Sequence, residues 1–439
     1  MGYIKDSQCT VNTPVILGKP EKPIYGKGVS IMPAVPSKNE TRYEQSIYLE
    51  KLLPLEEYDH IIVLLSGGKD SVASLLRLLE MGVPKDKIEL WHHDIDGGHP
   101  SRRMDWPVTQ AYVRALSETM GIKLRTSWRM GGFFGELYRV GASLPIEYED
   151  GAAVKTCRLS PAQQRSEELR EEILLGMDVH DELADLGYRM KFPAKSGDLA
   201  RRWCSAYLKI IVSDTVIRNL DELASLGTAR HKFPAKSSPQ QGRYCSGALK
   251  ASVQDSVTSN MEHIRQDVKI LVVSGERRGE SAGRAGYNEM EIHRTNATAK
   301  ARRLVHQWRN VISLSERDVW EMIRRHRVNP HPCYPCGWNR CSCACCIFSL
   351  PRHWAGIREL FPKEYAALCE DETRLGFTLD NSKSLDEYIA GAVSCVDYSN
   401  EKAINQLLTG EFTVDDVFCK PGEWHFPAGA FRGGQGGPC

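Results

Sequence analysis

Short apolar runs alternate with amphipathic segments through the middle of the chain. The run Ile61–Leu65 ends in a glycine-containing turn, and apolar positions then recur three and four residues apart from Val72 to Leu79. This pattern is typical of a buried strand that leads through a short loop into a helix. The same pattern predicts strands at Lys87–Ile95, Ile122–Trp128 and Lys269–Gly275 and a helix at Val108–Met120. We therefore predict an α/β fold with a doubly wound parallel sheet, whose ligands bind at the carboxyl ends of its strands.

Changes in composition predict three regions in this chain of 439 residues. Residues 1–57 are rich in proline and lack periodicity, so they predict an extended arm. Residues 58–350 contain the α/β pattern, and residues 351–439 predict a helical region that ends in a flexible, glycine-rich tail.

An internal repeat occupies residues 181–260, between the third and fourth predicted strands. The segment around Cys204 recurs 41 residues later around Cys245. Two copies are too few for a solenoid. The repeat therefore predicts a duplicated helical insertion in the α/β domain, which is either a spacer or a way to place the two cysteines in matched positions.

The loop after the first strand has the composition of a phosphate-binding site. It consists of Ser66, Gly67, Gly68, Lys69, Asp70 and Ser71. Glycines let backbone N–H groups approach an anion, the following helix adds its N-terminal partial charge, and Lys69 adds a full positive charge. Both serines can donate hydrogen bonds, and Asp70 can hold Mg²⁺. The Walker A spacing is absent, so another class of ATP-binding loop is indicated.

Two other predicted strand ends carry candidate functional residues. Asp94 and Asp96 close the second strand, where they could contact a ribose hydroxyl or Mg²⁺, although an ordinary strand-end turn would also use them. Arg277 and Arg284 follow the fourth strand on a glycine-bearing loop. Arginines at this edge would stabilise phosphate charge, and surface salt bridging is the alternative.

The cysteines predict a metal centre. Six thiols lie within His331–Cys346, and they include the Cys-x2-Cys pairs Cys333/Cys336 and Cys343/Cys346. Such density is typical of Zn²⁺ or an iron–sulfur cluster. One alternative takes four ligands from this loop. The other joins Cys343 and Cys346 to the distant Cys204 and Cys245.

Charge and hydropathy narrow the possible partners. The formal net charge is +1, which gives no general argument for nucleic acid. Residues 276–340, however, contain 13 Lys/Arg against 7 Asp/Glu, which predicts either a solvated helical face or a phosphate-binding surface. No apolar run approaches the length of a membrane span, the first residues do not resemble a signal peptide, and fourteen cysteines favour a reducing compartment. We expect a cytoplasmic protein with no membrane partner.

In their order, these motifs resemble the phosphoadenosine phosphosulfate reductase family of the PP-loop ATP pyrophosphatase superfamily. The matching segments are Ser66–Ser71, His93–Gly97, Arg202–Lys209, Gly275–Arg284, Trp308, Asp318–Trp320 and His331–Cys346. True reductases of this family bind a preactivated sulfonucleotide, and their loop has typically lost the residues for ATP cleavage. Relatives with the intact loop, which include the DNA phosphorothioation sulfurtransferase and phage-encoded members, adenylate a target and pass sulfur to it, often with an iron–sulfur cluster.

The resemblance implies an enzyme that cleaves ATP to AMP and pyrophosphate and adenylates an acceptor for sulfur transfer. It implies catalytic roles for Lys69, Asp70, Arg277 and Arg284, binding of ATP and Mg²⁺ at residues 66–71 with Asp94 and Asp96, and a [4Fe–4S] cluster or Zn²⁺ on cysteines. A cysteine desulfurase-type donor or a thiol reductant would supply sulfur, and nucleic acid is a candidate acceptor. The alternatives are a thiol-dependent sulfonucleotide reductase, with a nucleophile such as Cys439, and a non-catalytic nucleotide-sensing or nucleic-acid-binding subunit of a defence complex.

Overall fold

A single mostly parallel sheet forms the centre of the molecule. The computed structural model describes residues 53–99, 103–220, 223, 268–298, 303–380 and 382–432. Within these residues the strands are β1 (His60–Leu64), β2 (Ile88–Asp94), β3 (Lys123–Arg129), β4 (Ile146–Asp150), β5 (Ala153–Thr156), β6 (Val268–Val273), β7 (Met290–Ile292) and β8 (Arg303–Trp308). Their order is β5-β4-β3-β2-β1-β6-β8-β7. Strands β3, β2, β1, β6 and β8 are parallel, whereas β4, β5 and β7 pair antiparallel at the two edges.

Helices connect and cover these strands. They are α1 (Lys69–Glu80), α2 (Thr109–Met120), α3 (Gly132–Leu137), α4 (Pro161–Leu174), α5 (His180–Asp185), α6 (Trp203–Ser205), α7 (Ile211–Asn219), α8 (Ala282–Ala285), α9 (Glu316–Arg325), α10 (Pro351–Leu360), α11 (Pro362–Leu375), α12 (Leu385–Tyr388) and α13 (Glu401–Thr409). A π-helical turn, Ala206–Ile210, joins α6 to α7. In the described part of the chain, no helix has both the length and the apolar character needed to cross a membrane.

Apolar side chains are buried on both faces of the sheet because successive residues of a strand point to opposite sides. Ile61 and Val63 of β1 belong to the same buried cluster as Val72 of α1. Ile62, between them, belongs to a second cluster with Val216 of α7. Helices therefore cover both faces, which confirms the predicted doubly wound α/β fold.

The predicted elements begin and end close to their predicted limits, but four strands were not predicted. Strands β2, β3 and β6 and helix α2 agree with the predicted segments to within about two residues. The hairpin β4–β5 and the strands β7 and β8 have no counterpart among the predictions. The first copy of the repeat forms α5, α6, the π-helical turn and α7, whereas the second copy, apart from Leu223, lies outside the described residues.

The limits of the three regions stay predictions. Most of the predicted N-terminal arm lies outside the described residues, as does the tail beyond residue 432, including Cys439. Helices α10–α13 lie in the region that was expected to be helical.

Ser315 is the N-cap of helix α9, and this cap is testable. The Ser315 hydroxyl accepts the backbone N–H of Asp318, whose carboxylate in turn accepts the Ser315 N–H at 2.9 Å. We expect Ser315→Ala to lower the free energy of unfolding by about 1 kcal/mol, because the helix loses its N-cap acceptor. Urea denaturation measures the change. Ser315→Asn keeps a capping oxygen and should restore stability, so equal losses in both variants would contradict the capping role.

Candidate functional site

A cavity of about 620 Å³ opens at the carboxyl edge of the parallel strands. Ser66 follows β1, His93 lies at the end of β2, Glu276 follows β6 and Arg309 follows β8, and all four line the cavity. Its size lies in the range of small-ligand sites, and its position is where a doubly wound sheet binds ligands. The predicted strand ends therefore meet at one candidate nucleotide site.

The loop between β1 and α1 has the backbone shape of an anion cradle. Gly67 has φ +81°, a conformation that favours glycine, and Gly68 immediately precedes α1. The Ser71 hydroxyl donates to the Gly68 carbonyl at 2.9 Å and lies 3.2 Å from the Ser66 hydroxyl. The loop therefore joins Ser66, which lines the cavity, to the N-terminus of α1, the end of a helix that favours an anion.

Lys69, Asp70 and Arg277 form a buried ion network beside this loop. Lys69 Nζ lies 3.1 Å from Asp70 Oδ2, and Arg277 Nε lies 2.5 Å from Asp70 Oδ1. Burial alone would raise the pKa of Asp70, but the charges of Lys69 and Arg277 outweigh this effect and hold the pKa below its usual range. Asp70 is therefore a carboxylate at neutral pH, and Mg²⁺ would have to replace one of its two cationic partners.

Basic side chains surround the cavity. Arg284 lines it and pairs with Glu280, while Arg309 lies 2.5 Å from both Glu276 and Glu291. Arg202 and Lys209, which belong to the first copy of the repeat, also line it. The structure therefore places the first copy at the cavity.

Asp94 and Asp96 hold the loop after β2 in place. Asp94 accepts the backbone N–H groups of Asp96 and Gly98, and Asp96 accepts those of Met104 and Asp105 at 3.1 and 3.0 Å. All four carboxylate oxygens thus receive backbone hydrogen bonds. The role of these two residues as ribose or Mg²⁺ ligands stays a prediction.

Two cavity residues were not singled out by the sequence. Burial, together with the nearby charges of Asp96 and Cys341, raises the pKa of Asp105 to about 7. Burial lowers the pKa of His93 to about 3, and its Nε2 has no hydrogen-bond partner among the described residues. No local pattern marks Asp105, because its charged neighbours come from other segments.

Three of the four preferred metal ligands lie together. Cys204, Cys343 and Cys346 line one small cavity of about 40 Å³ with Lys209, whose Nζ lies 3.8 Å from Cys343 Sγ. Burial and the neighbouring Cys346 raise the pKa of Cys204 to about 11, so metal binding would have to displace a proton. The predicted fourth ligand, Cys245, lies outside the described residues.

Cys333 and Cys336, the alternative pair of predicted metal ligands, lie in two different environments. Cys333 lies with His331 and Cys341, and the ligand atoms of these three residues are all within 4.8 Å of one another. Cys336 instead lies near Cys395, and burial raises its pKa to about 12. Burial would also raise the pKa of Cys341, but hydrogen bonding to Cys333 and the nearby His331 lower it to about 5. The sequence spacing therefore missed His331 and Cys341 as partners of Cys333.

The arginine-rich segment 276–340 does not form one exposed face. Arg277, Arg284, Arg303 and Arg309 are buried, and they contact carboxylates or backbone carbonyls. Much of the local positive charge thus serves the cavity and the fold.

The structure is an α/β protein with a cavity at the carboxyl ends of its parallel strands, and a loop of PP-loop sequence follows β1. A family model described as the phosphoadenosine phosphosulfate reductase domain matches residues 60–348, which is more than half of the chain. The chain therefore belongs to the phosphoadenosine phosphosulfate reductase family, and this match confirms the resemblance of its motifs.

One relative is encoded by a phage. An uncharacterized 37.8 kDa protein in gpa 5'region of Escherichia phage 186 is 28% identical over 104 residues. The match covers 24% of this chain and 30% of the phage protein, so the chain spans less than a third of that relative. The similarity is in keeping with the family and assigns no activity.

Proposed function

We propose that this protein cleaves ATP between its α- and β-phosphates and adenylates an acceptor for sulfur transfer. The observation that carries the proposal is the intact loop Ser66–Ser71, whose first residue lines the cavity and whose Asp70 is paired with both Lys69 and Arg277. A protein that bound only a preactivated sulfonucleotide would not need these groups. They suit a reaction in which negative charge develops on departing pyrophosphate.

The residues that line the cavity support this proposal. Leu64, Trp91 and Ile210 form an apolar side to which we assign the purine, and Ser66 and Arg284, which also line the cavity, would hold phosphates. In this arrangement an oxygen of the acceptor attacks the α-phosphorus, and the bond to the bridging oxygen breaks. Pyrophosphate then leaves beside Lys69 and the arginines, and Mg²⁺ would enter with the phosphates.

Cys204, Cys343 and Cys346 would hold a metal centre beside this cavity, with Cys245 as the proposed fourth ligand. Sulfur atoms around one tetrahedral Zn²⁺ lie about 3.8 Å apart. Within the described residues, the three thiols do not form a group with all ligand atoms inside 4.8 Å. This wider spacing favours an iron–sulfur cluster, which would supply sulfide or electrons.

Labelled ATP tests the proposal. The full-length protein, purified anaerobically, should convert [α-³²P]ATP to AMP or an adenylated product with one pyrophosphate per turnover. Candidate acceptors are DNA, RNA and a small-molecule cell fraction. Formation of ADP and phosphate would contradict adenylation.

A second candidate function is thiol-dependent reduction of a sulfonucleotide. It is favoured by Cys341, a low-pKa thiol that lines the nucleotide cavity. Its thiolate would attack the sulfo sulfur and break the S–O bond to the nucleotide phosphate, which leaves. The Cys333 thiolate would then attack Cys341 Sγ, release sulfite and form a disulfide that an external thiol reduces. Sulfite release without ATP consumption would support this function.

A further inference from the structure

His331, Cys333 and Cys341 converge although nine residues lie between the first and the last. A turn between them reverses the chain. In this turn the backbone N–H of Tyr334 donates to the His331 carbonyl, and the backbone N–H of Trp338 donates to the Cys333 carbonyl, both at 3.0 Å. His331 and Cys333 are completely buried, while Cys341 also lines the nucleotide cavity. The three ligand atoms lie within 4.8 Å of one another, close to the spacing around a tetrahedral ion.

Hydrogen bonds also orient the histidine ring for metal binding. His331 Nδ1 accepts the Cys333 N–H at 3.2 Å, and Nε2 lies 3.2 Å from Thr109 Oγ1. Thr109 donates its own hydroxyl hydrogen to Asp105 at 3.3 Å, so it accepts from Nε2–H. Both contacts assign the proton to Nε2, and a metal ion bound at Nδ1 would take the place of the Cys333 N–H at that lone pair. A metal-binding histidine typically donates the N–H of its other ring nitrogen to an acceptor that fixes the orientation of the ring. Thr109, itself bonded to Asp105, is such an acceptor.

We propose that His331, Cys333 and Cys341 bind a transition-metal ion of the zinc class, at a site separate from Cys204, Cys343 and Cys346. Two thiolates and a neutral imidazole balance the charge of a divalent ion. Water or a donor from outside the group takes the fourth position. The proposal does not depend on the reaction assigned to the cavity.

The location gives this ion a structural connection to the phosphate loop. The Cys341 carbonyl is only 3.2 Å from where a Cβ on Gly68 would lie, and His331 packs against Gly67. Tyr334, between the ligands in sequence, accepts the Lys69 N–H at 3.0 Å. A metal bound here would hold residues 331–341 against the anion cradle.

Cobalt binding tests the site independently of nucleotide chemistry. The full-length protein with Cys343→Ser and Cys346→Ser, made metal-free under anaerobic conditions, should bind one equivalent of Co²⁺. We expect a near-ultraviolet thiolate band and the visible bands of four-coordinate cobalt. Cys333→Ser or Cys341→Ser in this background should weaken Co²⁺ binding more than about 100-fold, since loss of an outer partner alone costs about 10- to 100-fold. Thr109→Val should fall in that smaller range.

Cys336→Ser is the matched control, because Cys336 is as completely buried as Cys333 but lies outside the group. It should keep both bands. X-ray absorption at the zinc edge, measured on the zinc-loaded Cys343→Ser/Cys346→Ser protein, should show two sulfur neighbours. This measurement requires no substitution at the proposed site. Lack of cobalt bands in that protein, bands that persist in both thiol variants, or a Cys333–Cys341 disulfide as the resting state would overturn the proposal.

Discussion

Lys69→Ala is expected to lower the rate of pyrophosphate release from ATP about 100- to 1000-fold, the usual effect of removing a preorganised charge that stabilises a transition state. The Lys69 side chain is 7% exposed and sits between Asp70, at 3.1 Å, and Glu316, at 4.0 Å. These carboxylates fix the ammonium beside the anion cradle, where it requires little reorganisation during the reaction. Release of labelled pyrophosphate, measured with saturating Mg²⁺–ATP, gives the rate.

Lys155→Ala is the control for loss of a lysine. Lys155, on the edge strand β5, pairs with Asp150 and is 49% exposed. Its loss should change the rate by less than twofold because surface ion pairs contribute little. Thermal melting of both variants separates a catalytic loss from unfolding. If Lys69→Ala released pyrophosphate as fast as the parent, the loop would not be the site of ATP cleavage. If it lost turnover but kept its full biological effect, the non-catalytic alternative would be favoured.

The strands that the sequence predicts most directly are apolar runs inside the sheet. Strands β1 and β6 are such runs, whereas β2 and β3 also lie inside the sheet but contain polar residues such as His92, Arg125 and Thr126. Strand β8 is also internal, but Arg303, His306 and Gln307 interrupt its run. These side chains are satisfied by distant partners, such as Tyr58 for His306 at 2.6 Å. The hairpin β4–β5 lies at an exposed edge, and its mixed polar composition carries no clear period.

The candidate site was predictable where chemistry is local and not where it depends on chain reversal. The phosphate loop needs only six consecutive residues, and the first of them, Ser66, lines the cavity. The use of Asp94 and Asp96 depends on the path of residues 98–105, which bring backbone N–H groups to both carboxylates. In the same way, the turn at 334–338 pairs Cys333 with Cys341 rather than with its nearer neighbour in the Cys-x2-Cys motif.

Gly275→Ala is expected to lower the rate of pyrophosphate release about 100-fold, because a small displacement of reacting groups has an effect of that size. A Cβ on Gly275 would lie 2.6 Å from the carbonyl carbon and oxygen of Asp70 and from the backbone nitrogen of Ser71. These atoms form the start of α1 and cannot move without shifting the cradle. Such overpacking should also lower the free energy of unfolding by about 1–3 kcal/mol. Pyrophosphate release and urea denaturation measure the two effects.

Gly279→Ala supplies the comparison within the same loop, since the nearest atom to its Cβ would be Arg277 Nη1 at 3.9 Å, an ordinary contact. Neither glycine has a backbone conformation that disfavours alanine, so the two variants differ in the space around the added methyl group. A rate loss confined to Gly275→Ala would link the loop after β6 to the phosphate cradle through direct backbone contact. Equal rates in the two variants would show that the β6 loop and α1 can separate without harm to the reaction. The proposed contribution of the arginines in residues 277–284 to the reaction could then not depend on their alignment with the phosphate loop.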